Sequence, residues 1–584
     1  MTLATDYPSL HEHALAGDAQ RHAIECLLNC YLREYALPRG EACLDAQGQD
    51  LPMSLRQLAG QRICITLPGG RLALAADRTS VLGRCRFTSA PYFKGNGHGW
   101  RPLGALELAQ LLLAPLTCAE RHGELMQQIN NSLSITQTFL RHAVPAHRQP
   151  ADSLLRSEQH QVWGHALHPT PKSREGVGLD DLLACSPEVG AQFSLHWFEV
   201  APSLVRHLGE DPRPTLRQLC GEDNLYPCHP WEVERILANP LVQRAMAQGL
   251  MTYKGARGVP LYPTSSVRTL YHPELAYFLK FSVHVRLTNC IRKNAWYELD
   301  SAVALTHLLQ PAMADLAVHQ PGFALMPEPA ASTLDLSALG SAEEAREVTE
   351  CFGILYRSNF DAASREAFQP QVAMALFTWG LDGHGMCASR LRQCATRLGL
   401  SREEAAALWL ERYAGLLLGG VLHCLYRQGV VLEPHLQNTL LGFDEDGLPC
   451  RVWVRDLEGT KLVAGHWPEQ RLADLDERTR ASLYYSPEKA WKRVAYCALV
   501  NNLGEALFHL ADGDAALEKR LWTQLGQQLQ AQCEHLGNPA ELSELCAGAT
   551  LPSKENFMTR LLQRADREAG YTALPNPLFH GARA

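Results

Sequence analysis

At 584 residues the chain is too long for one hydrophobic core, so roughly two to four domains are expected. Charged residues make up 20% and hydrophobic residues 46%, a globular balance that excludes a disordered or fibrous chain. A formal net charge of −8 argues against general binding to nucleic acid or to an anionic membrane, and leaves a small ligand as the expected partner.

The first predicted element is an amphipathic helix over residues 20–35, where Ile24, Leu27, Leu28, Tyr31 and Leu32 recur at helical spacing. Cys26 and Cys30 share one of its faces. The 18 cysteines are scattered singly with no C-x-x-C pair, which predicts buried thiols of a reduced, cytoplasmic protein, not a zinc site or a disulfide framework. Met1 to Tyr7 show neither the basic start nor the apolar core of a secretory signal. Residues 62–67 and 71–74 flank Pro68-Gly69-Gly70 as a β-hairpin, and residues 103–144 return to helical periodicity. Pro145 and Pro150 mark the expected end of a first domain, residues 1–150, which carries no motif of its own.

Strand and helix signals mix over residues 151–340. In residues 164–176, His168, Lys172, Ser173 and Arg174 lie within seven positions, Pro169 and Pro171 stiffen the loop, and Gly176 permits a tight exit. That composition suits an oxyanion cradle or, equally, a solvated basic loop. Residues 193–200 read as a strand, and Pro230 of His229-Pro230-Trp231 is placed to begin a helix running to about Leu250. Ser266, Arg268 and Thr269 introduce a hairpin of residues 268–271 and 275–283 that turns at His272-Pro273-Glu274. Lys280 stands in the apolar run Leu279-Lys280-Phe281, where an ammonium needs an anion or an acid, and Arg292 follows a similar run. His168, Lys172, Arg174, Arg268, Lys280 and Arg292 together hold more positive charge than Mg-ATP alone requires. The surplus predicts a second, polyanionic substrate.

Residues 341–584 are mostly helical, with long segments at 371–398, 402–428, 487–511 and 515–536. The longest apolar stretch, 414–425, is interrupted by Gly419, Gly420 and His423 and is too short to span a bilayer. Gly429 is placed to end the second helix and hand the chain to Glu433-Pro434-His435-Leu436-Gln437-Asn438. Residues 439–443 and 451–454 read as strands joined by a turn at 444–447, which puts Asn438 and Asp456 at adjacent strand ends. Hard oxygen ligands so placed suit Mg²⁺ carrying nucleotide phosphates. A kinase-like phosphotransferase is one reading, but Leu436 and Gln437 stand where its catalytic Asp belongs. A non-catalytic anion-binding scaffold is another.

Taken together, Gly164-His165-x-x-His168-Pro169-x-x-Lys172-x-Arg174-x-Gly176, His229-Pro230-Trp231, Ser266-x-Arg268-Thr269, Lys280 with Arg292, Glu433-x-His435-x-Gln437-Asn438 and Arg455-Asp456-x-x-Gly459 closely resemble the NRPS-independent siderophore synthetases, the aerobactin synthetase family. The matches run in family order over about residues 158–460, and Lys554 and Asn576-Pro577-Leu578 in the tail are similar too. The resemblance implies an α+β, multidomain, hand-like fold. Residues 1–150 would be the thumb, residues 151–340 a fingers domain built on mixed or antiparallel sheet, and residues 341–584 a mostly helical palm.

It also implies a homodimer that uses ATP and Mg²⁺ to activate a carboxylate of citrate as an acyl-adenylate, releasing pyrophosphate. An amine or alcohol then takes the acyl group as an amide or ester; α-ketoglutarate is the alternative acyl donor. By this resemblance His168, Lys280, Arg292, His435 and Asp456 form the catalytic core. Lys172, Ser173, Arg174, Ser266, Arg268, Thr269, Lys280, Gln437 and Asn438 serve ATP. His168, Thr288, Arg292, His435 and Lys554 serve the polycarboxylate, and Glu433, Asn438 and Asp456 the metal. Attack of a carboxylate on a phosphate needs two anions brought together and no protein nucleophile, which agrees with the absent kinase Asp. For the second step His435 or His168 is suited to take the proton of the amine.

Overall fold

The computed structural model describes residues 10–46, 50–116, 119–287, 290–473, 475, 477–565 and 568–579. Helix Leu10–Tyr31, extended by a π turn at Leu32–Ala36, packs on an antiparallel sheet in the order Ala42–Cys43, Gln61–Leu67, Gly70–Thr79, Tyr92–Gly95, Trp100–Pro102, with Cys85–Phe87 also paired to Gly70–Thr79. The expected hairpin closes on the Leu67–Gly70 pair, where a Cβ at residue 70 would stand 2.1 Å from the Lys94 carbonyl, so glycine is required. Helices Ala105–Leu113 and His122–His142 complete this core, burying Leu27, Leu28, Ile63, Leu74 and Leu108. Each such side chain contributes roughly 1.5–3 kcal/mol. Phe557 and Leu561, from near the C-terminus, enter the same core, and Glu34 accepts from the Phe557 and Met558 amides at 2.9 and 3.0 Å. The two ends of the chain are thereby fastened together.

The middle of the chain carries a three-stranded sheet, Leu225–Cys228, His196–Val200, Met251–Ala256. A six-stranded antiparallel sheet follows in the order Tyr262–Pro263, Thr269–Tyr271, Tyr277–Phe281, Ile354–Ser358, Ala330–Leu334, Val205–Gly209. Lys280 lies in a central strand, opposite Thr269 on one side and Leu355 on the other. Two expectations are corrected here. Strand Ile354–Ser358 completes the sheet after residue 340, while Phe323–Leu325 before it pairs with Pro449–Val454 of the next unit, so the chain does not divide cleanly at 340. The helix expected from Pro230 to about Leu250 is two helices, Val233–Ala238 and Pro240–Ala247. Asn239 breaks it by accepting from the Leu241 and Val242 amides, and Pro240 starts the second helix.

The C-terminal unit is built around Arg402–Gln428, which opens with a Ser401–Glu404 capping box and ends at Gly429 with φ +64°. Gly419, Gly420 and His423 do not interrupt it. By length and composition this 27-residue helix could cross a membrane, a correction to the sequence reading, but 67% of its apolar window is buried. That burial is against the helical core formed with residues 487–511 and helix Ala515–His535. Residues 371–398 are not one helix. They form strand Gln371–Val372, a turn of helix Ala373–Leu376, a loop, and helix Met386–Leu398. Gly380, Gly383 and Gly385 explain the loop, since glycine disfavours the helix interior. Mixed helix and small sheets make the α+β class as expected.

Candidate active site

Strands Thr439–Phe443 and Pro449–Val454 pair with Thr439 opposite Val454, and the Arg455 amide donates to the Asn438 carbonyl at 2.9 Å. This places Asn438 and Asp456 side by side, as the turn chemistry predicted. Asp456 has φ +78°, an uncommon conformation for a non-glycine residue that swings its carboxylate toward the six-stranded sheet. There Oδ1 accepts from Lys280 Nζ at 2.5 Å and from the Arg357 guanidinium at 3.0 Å. Lys280 Nζ also meets Glu458 at 2.6 Å, and Arg357 is fixed from behind by buried Glu328 at 2.6 Å. The acids required by an ammonium in an apolar strand are therefore Asp456 and Glu458. Burial opposes ionisation of Asp456, but Lys280, Arg357 and Arg268 outweigh it and hold the carboxyl far below its ordinary value. For Glu328 burial wins and pushes the carboxyl up.

The Ser265–Arg268 loop is a second strained element. Val267 has φ +68°, which a β-branched residue adopts only when its surroundings impose it, and its side chain is clamped against Val283, Val285 and Leu287. Glu158, fully buried, accepts from the Ser265 amide at 2.9 Å and pairs with Arg455, which in turn holds the Gln437 carbonyl at 2.9 Å. One carboxylate thus fastens the Ser265 loop to the Gln437–Asp456 hairpin. Arg268 donates to Asn294 at 2.6 Å and lies 3.7 Å from Glu458.

In the 164–176 loop both cations have an internal acid. Lys172 and Arg174 reach the same buried Glu188 carboxylate at 2.7 and 2.5 Å, and Ser173 donates to Asn131 at 3.0 Å. Burial lowers the Lys172 pKa against the pull of Glu188. His168 Nδ1 accepts from the Thr170 amide at 3.1 Å, which puts the proton of a neutral ring on Nε2. Glu433 pairs with Arg493, and Asn438 Nδ2 donates to the Glu433 carbonyl at 3.4 Å, leaving its own side-chain oxygen as an acceptor.

Fifteen of the sixteen expected site residues line one cleft of about 330 Å³: His168, Lys172, Ser173, Arg174, Ser266, Arg268, Thr269, Lys280, Arg292, Glu433, His435, Gln437, Asn438, Asp456 and Lys554. Thr288 lies outside the described residues. The cleft also draws on Arg455, which the sequence marked only as part of the Arg455-Asp456 motif, and on Arg357, Tyr496, Asn501 and Asn556, which sequence reasoning did not single out. Arg357 carried a usable signal, a lone cation in the apolar strand Ile354–Ser358, the same criterion that selected Lys280. The cationic surplus is smaller than the sequence suggested, because Glu158, Glu188, Glu328 and Glu458 stand behind these side chains and neutralise part of it. What remains is a cleft walled by fixed guanidinium and ammonium groups with imidazole and amide groups between them, an arrangement able to hold two anions close together.

Residues 153–378 match the profile of the IucA / IucC family, and residues 407–569 that of a family described as ferric iron reductase FhuF-like transporter. Among relatives, the N(2)-citryl-N(6)-acetyl-N(6)-hydroxylysine synthase of Vibrio mimicus is 30% identical over 459 residues, 72% of this chain and 73% of that protein. The L-2,3-diaminopropanoate–citrate ligase of Staphylococcus aureus is 29% identical over 80% of this chain and 81% of its own. The spermidine-citrate ligase of Bacillus anthracis is 27% identical over 96% and 98%. The solved structure of ATP-bound aerobactin synthetase IucA from Klebsiella pneumoniae superposes with a TM-score of 0.82 at 22% identity, covering 96% of this chain and 99% of that one, a likeness of fold.

Proposed function

The chain belongs to the IucA / IucC family, and from that membership and the chemistry of the cleft we propose that it is an ATP-dependent ligase of siderophore biosynthesis, joining citrate to an amine. The observation that carries this reading is the convergence of Lys280, Arg268, Arg292 and Lys554 with His168 and His435 on one cleft whose described lining residues include no catalytic aspartate of the kinase type. A carboxylate oxygen of citrate attacks the α-phosphorus of ATP, and pyrophosphate leaves. The amine nitrogen then attacks the acyl carbon, the bond to AMP breaks, and the amine proton passes to a base.

Lys280, Arg268, Ser266 and Thr269 serve the phosphates. Lys280 would exchange Asp456 and Glu458 for phosphate oxygens, which leaves Asp456 with Arg357 as a remaining partner and its second oxygen turned to the cleft. Asn438 and Asp456 supply oxygens of the kind Mg²⁺ prefers, whereas the Glu433 carboxylate is engaged by Arg493 and contributes less. Bound Mg²⁺ would neutralise charge on the departing pyrophosphate. Lys172, Ser173 and Arg174, already partnered, shape the wall near the nucleotide. His168, Arg292, His435, Lys554 and, from the family resemblance alone, Thr288 serve citrate. His168, whose Nδ1 accepts from Thr170, is assigned to citrate, and His435 is assigned as the base.

The sixteen cysteines whose side chains are described are free, and a reducing cytoplasm is taken as the place of action. The reading includes a homodimer. Incubation with Mg-ATP and hydroxylamine tests the reaction: citrate should give pyrophosphate and a hydroxamate. A response to α-ketoglutarate alone would move the chain to another acyl donor, and ADP as the only nucleotide product would refute the adenylate.

A further inference from the structure

A larger cavity, of about 510 Å³, adjoins the first, and Gly164, His165 and Met374 line both. One wall belongs to the N-terminal unit, through Glu25 of helix Leu10–Tyr31, Arg86 of strand Cys85–Phe87 and Arg84 just before that strand. The rest of the lining includes Trp379 and Asp382 of the glycine-rich loop and Glu505 and His509 of helix Gly504–Ala511.

The two spaces differ in charge. Eight lysines and arginines and two acids line the first; three arginines and four acids line the second. Arg84, buried, meets both Glu25 at 2.9 Å and Glu505 at 3.3 Å, so two carboxylates share one cation in the depth of the cavity. The histidines add no charge: burial lowers His22 to about 4 and His165 to about 3, and keeps His509 well below its usual value. A polyphosphate or a tricarboxylate gains little here, whereas an ammonium does. At the other end the Arg86 guanidinium lies 4.2 Å from the centre of the Trp379 ring, 3.8 Å from Asp77 and 3.4 Å from the Gly383 carbonyl, long contacts that leave further N–H donors for a carboxylate. The wall between is not self-satisfied. Trp379 Nε1 and His509 Nδ1 are buried without hydrogen-bond partners, their rings 4.6 Å apart.

We propose that this second cavity is the nucleophile site, and that it takes an amine carrying its own carboxylate, a diamino acid, with the carboxylate at Arg86 and an ammonium toward Glu25 and Glu505. The inference rests on the ligase reading above. It gives the N-terminal unit, which has no motif of its own, a task in choosing the amine. The reacting amine enters the first cleft past Gly164 and His165. Both ring nitrogens of His165 are engaged, by the Leu167 amide at 3.0 Å and by Asn501 at 2.5 Å, so His165 is a wall and not a base.

The test uses the full-length enzyme and two matched pairs of amines: 2,3-diaminopropionate against ethylenediamine, and ornithine against 1,4-diaminobutane. With Mg-ATP and citrate, kcat/KM should favour at least one amino acid over its decarboxylated twin by tenfold or more. Arg86→Gln should raise the KM of that amino acid at least tenfold and leave the twin within about twofold, with citrate-dependent hydroxamate formation unchanged and Arg86→Lys partly restored. Calorimetric binding of the amino acids, weakened by Arg86→Gln, is read separately, so a failure of citrate activation refutes the ligase reading without deciding this one. Preference for the diamines, or unchanged amino-acid binding in folded Arg86→Gln and Glu25→Gln, overturns the proposal.

Discussion

Replacing Lys280 by alanine separates what this side chain does for the fold from what it does for the reaction. Its ammonium contacts Asp456 at 2.5 Å and Glu458 at 2.6 Å, and it is 5% exposed. Breaking a fully buried pair costs about 3–5 kcal/mol. Here Asp456 retains Arg357 at 3.0 Å, Glu458 retains Arg268 at 3.7 Å, and the two acids are 32% and 24% exposed to the cleft, so both can be partly rehydrated. A stability loss of about 1–2 kcal/mol follows, nearer the cost of an unsatisfied hydrogen-bonding group. Loss of a donor aimed at developing phosphate charge costs more, about 2.7–4 kcal/mol, or 10²–10³-fold in kcat. The expected variant is folded, melts slightly lower, and releases citrate-dependent pyrophosphate at least a hundredfold more slowly. Asp456 has a folded pKa held below its unfolded value, so its stabilisation is present above the ordinary carboxylate range and is lost as pH falls. The gap in melting temperature between wild type and variant should be flat from about pH 8 to about pH 5 and narrow below about pH 4. A variant that keeps more than a tenth of its activity, or one that does not fold, would refute this division of labour.

His435→Gln should still release pyrophosphate with citrate but form amide about 10²–10⁴-fold more slowly, read by comparing pyrophosphate with condensed product. His168→Gln should instead raise the citrate KM with little change in kcat. Glu158→Ala strands the buried Arg455 guanidinium and should lower stability by about 3–5 kcal/mol in a thermal melt, with activity lost through misplacement of the Ser265 loop. In a Mg²⁺ titration of pyrophosphate release, Asn438→Ala should raise the Mg²⁺ requirement about tenfold or more, while Glu433→Gln should shift it less than about threefold because that carboxylate already serves Arg493. Light scattering should give twice the chain mass.

What could be read from the sequence was local. The hairpin that sets Asn438 beside Asp456 follows from the Asp444–Gly447 turn and flanking apolar runs, and the end of Arg402–Gln428 from Gly429. Lys280 announced that it needed an acid but not which one, since Asp456 lies 176 residues away. Glu158, Glu188 and Glu328 gave no signal at all. A glutamate beside helical or loop residues looks solvated until the fold buries it against an arginine or lysine, and these three set the net charge of the cleft. Pro240 and the glycines at 380, 383 and 385 were breakers outvoted by long helical periodicity. The second cavity was invisible for a plainer reason: its walls come from helix Leu10–Tyr31, strand Cys85–Phe87, the 377–383 loop and helix Gly504–Ala511.

The central claim is that a citrate carboxylate attacks the α-phosphorus of ATP. Citrate labelled with ¹⁸O in its carboxylates, turned over with Mg-ATP and hydroxylamine, tests it by mass spectrometry of the nucleotide and phosphate products. The account predicts AMP carrying one ¹⁸O, left behind when the nitrogen displaces it, and unlabelled pyrophosphate. Labelled inorganic phosphate with unlabelled ADP would mean attack at the γ-phosphorus and would contradict it.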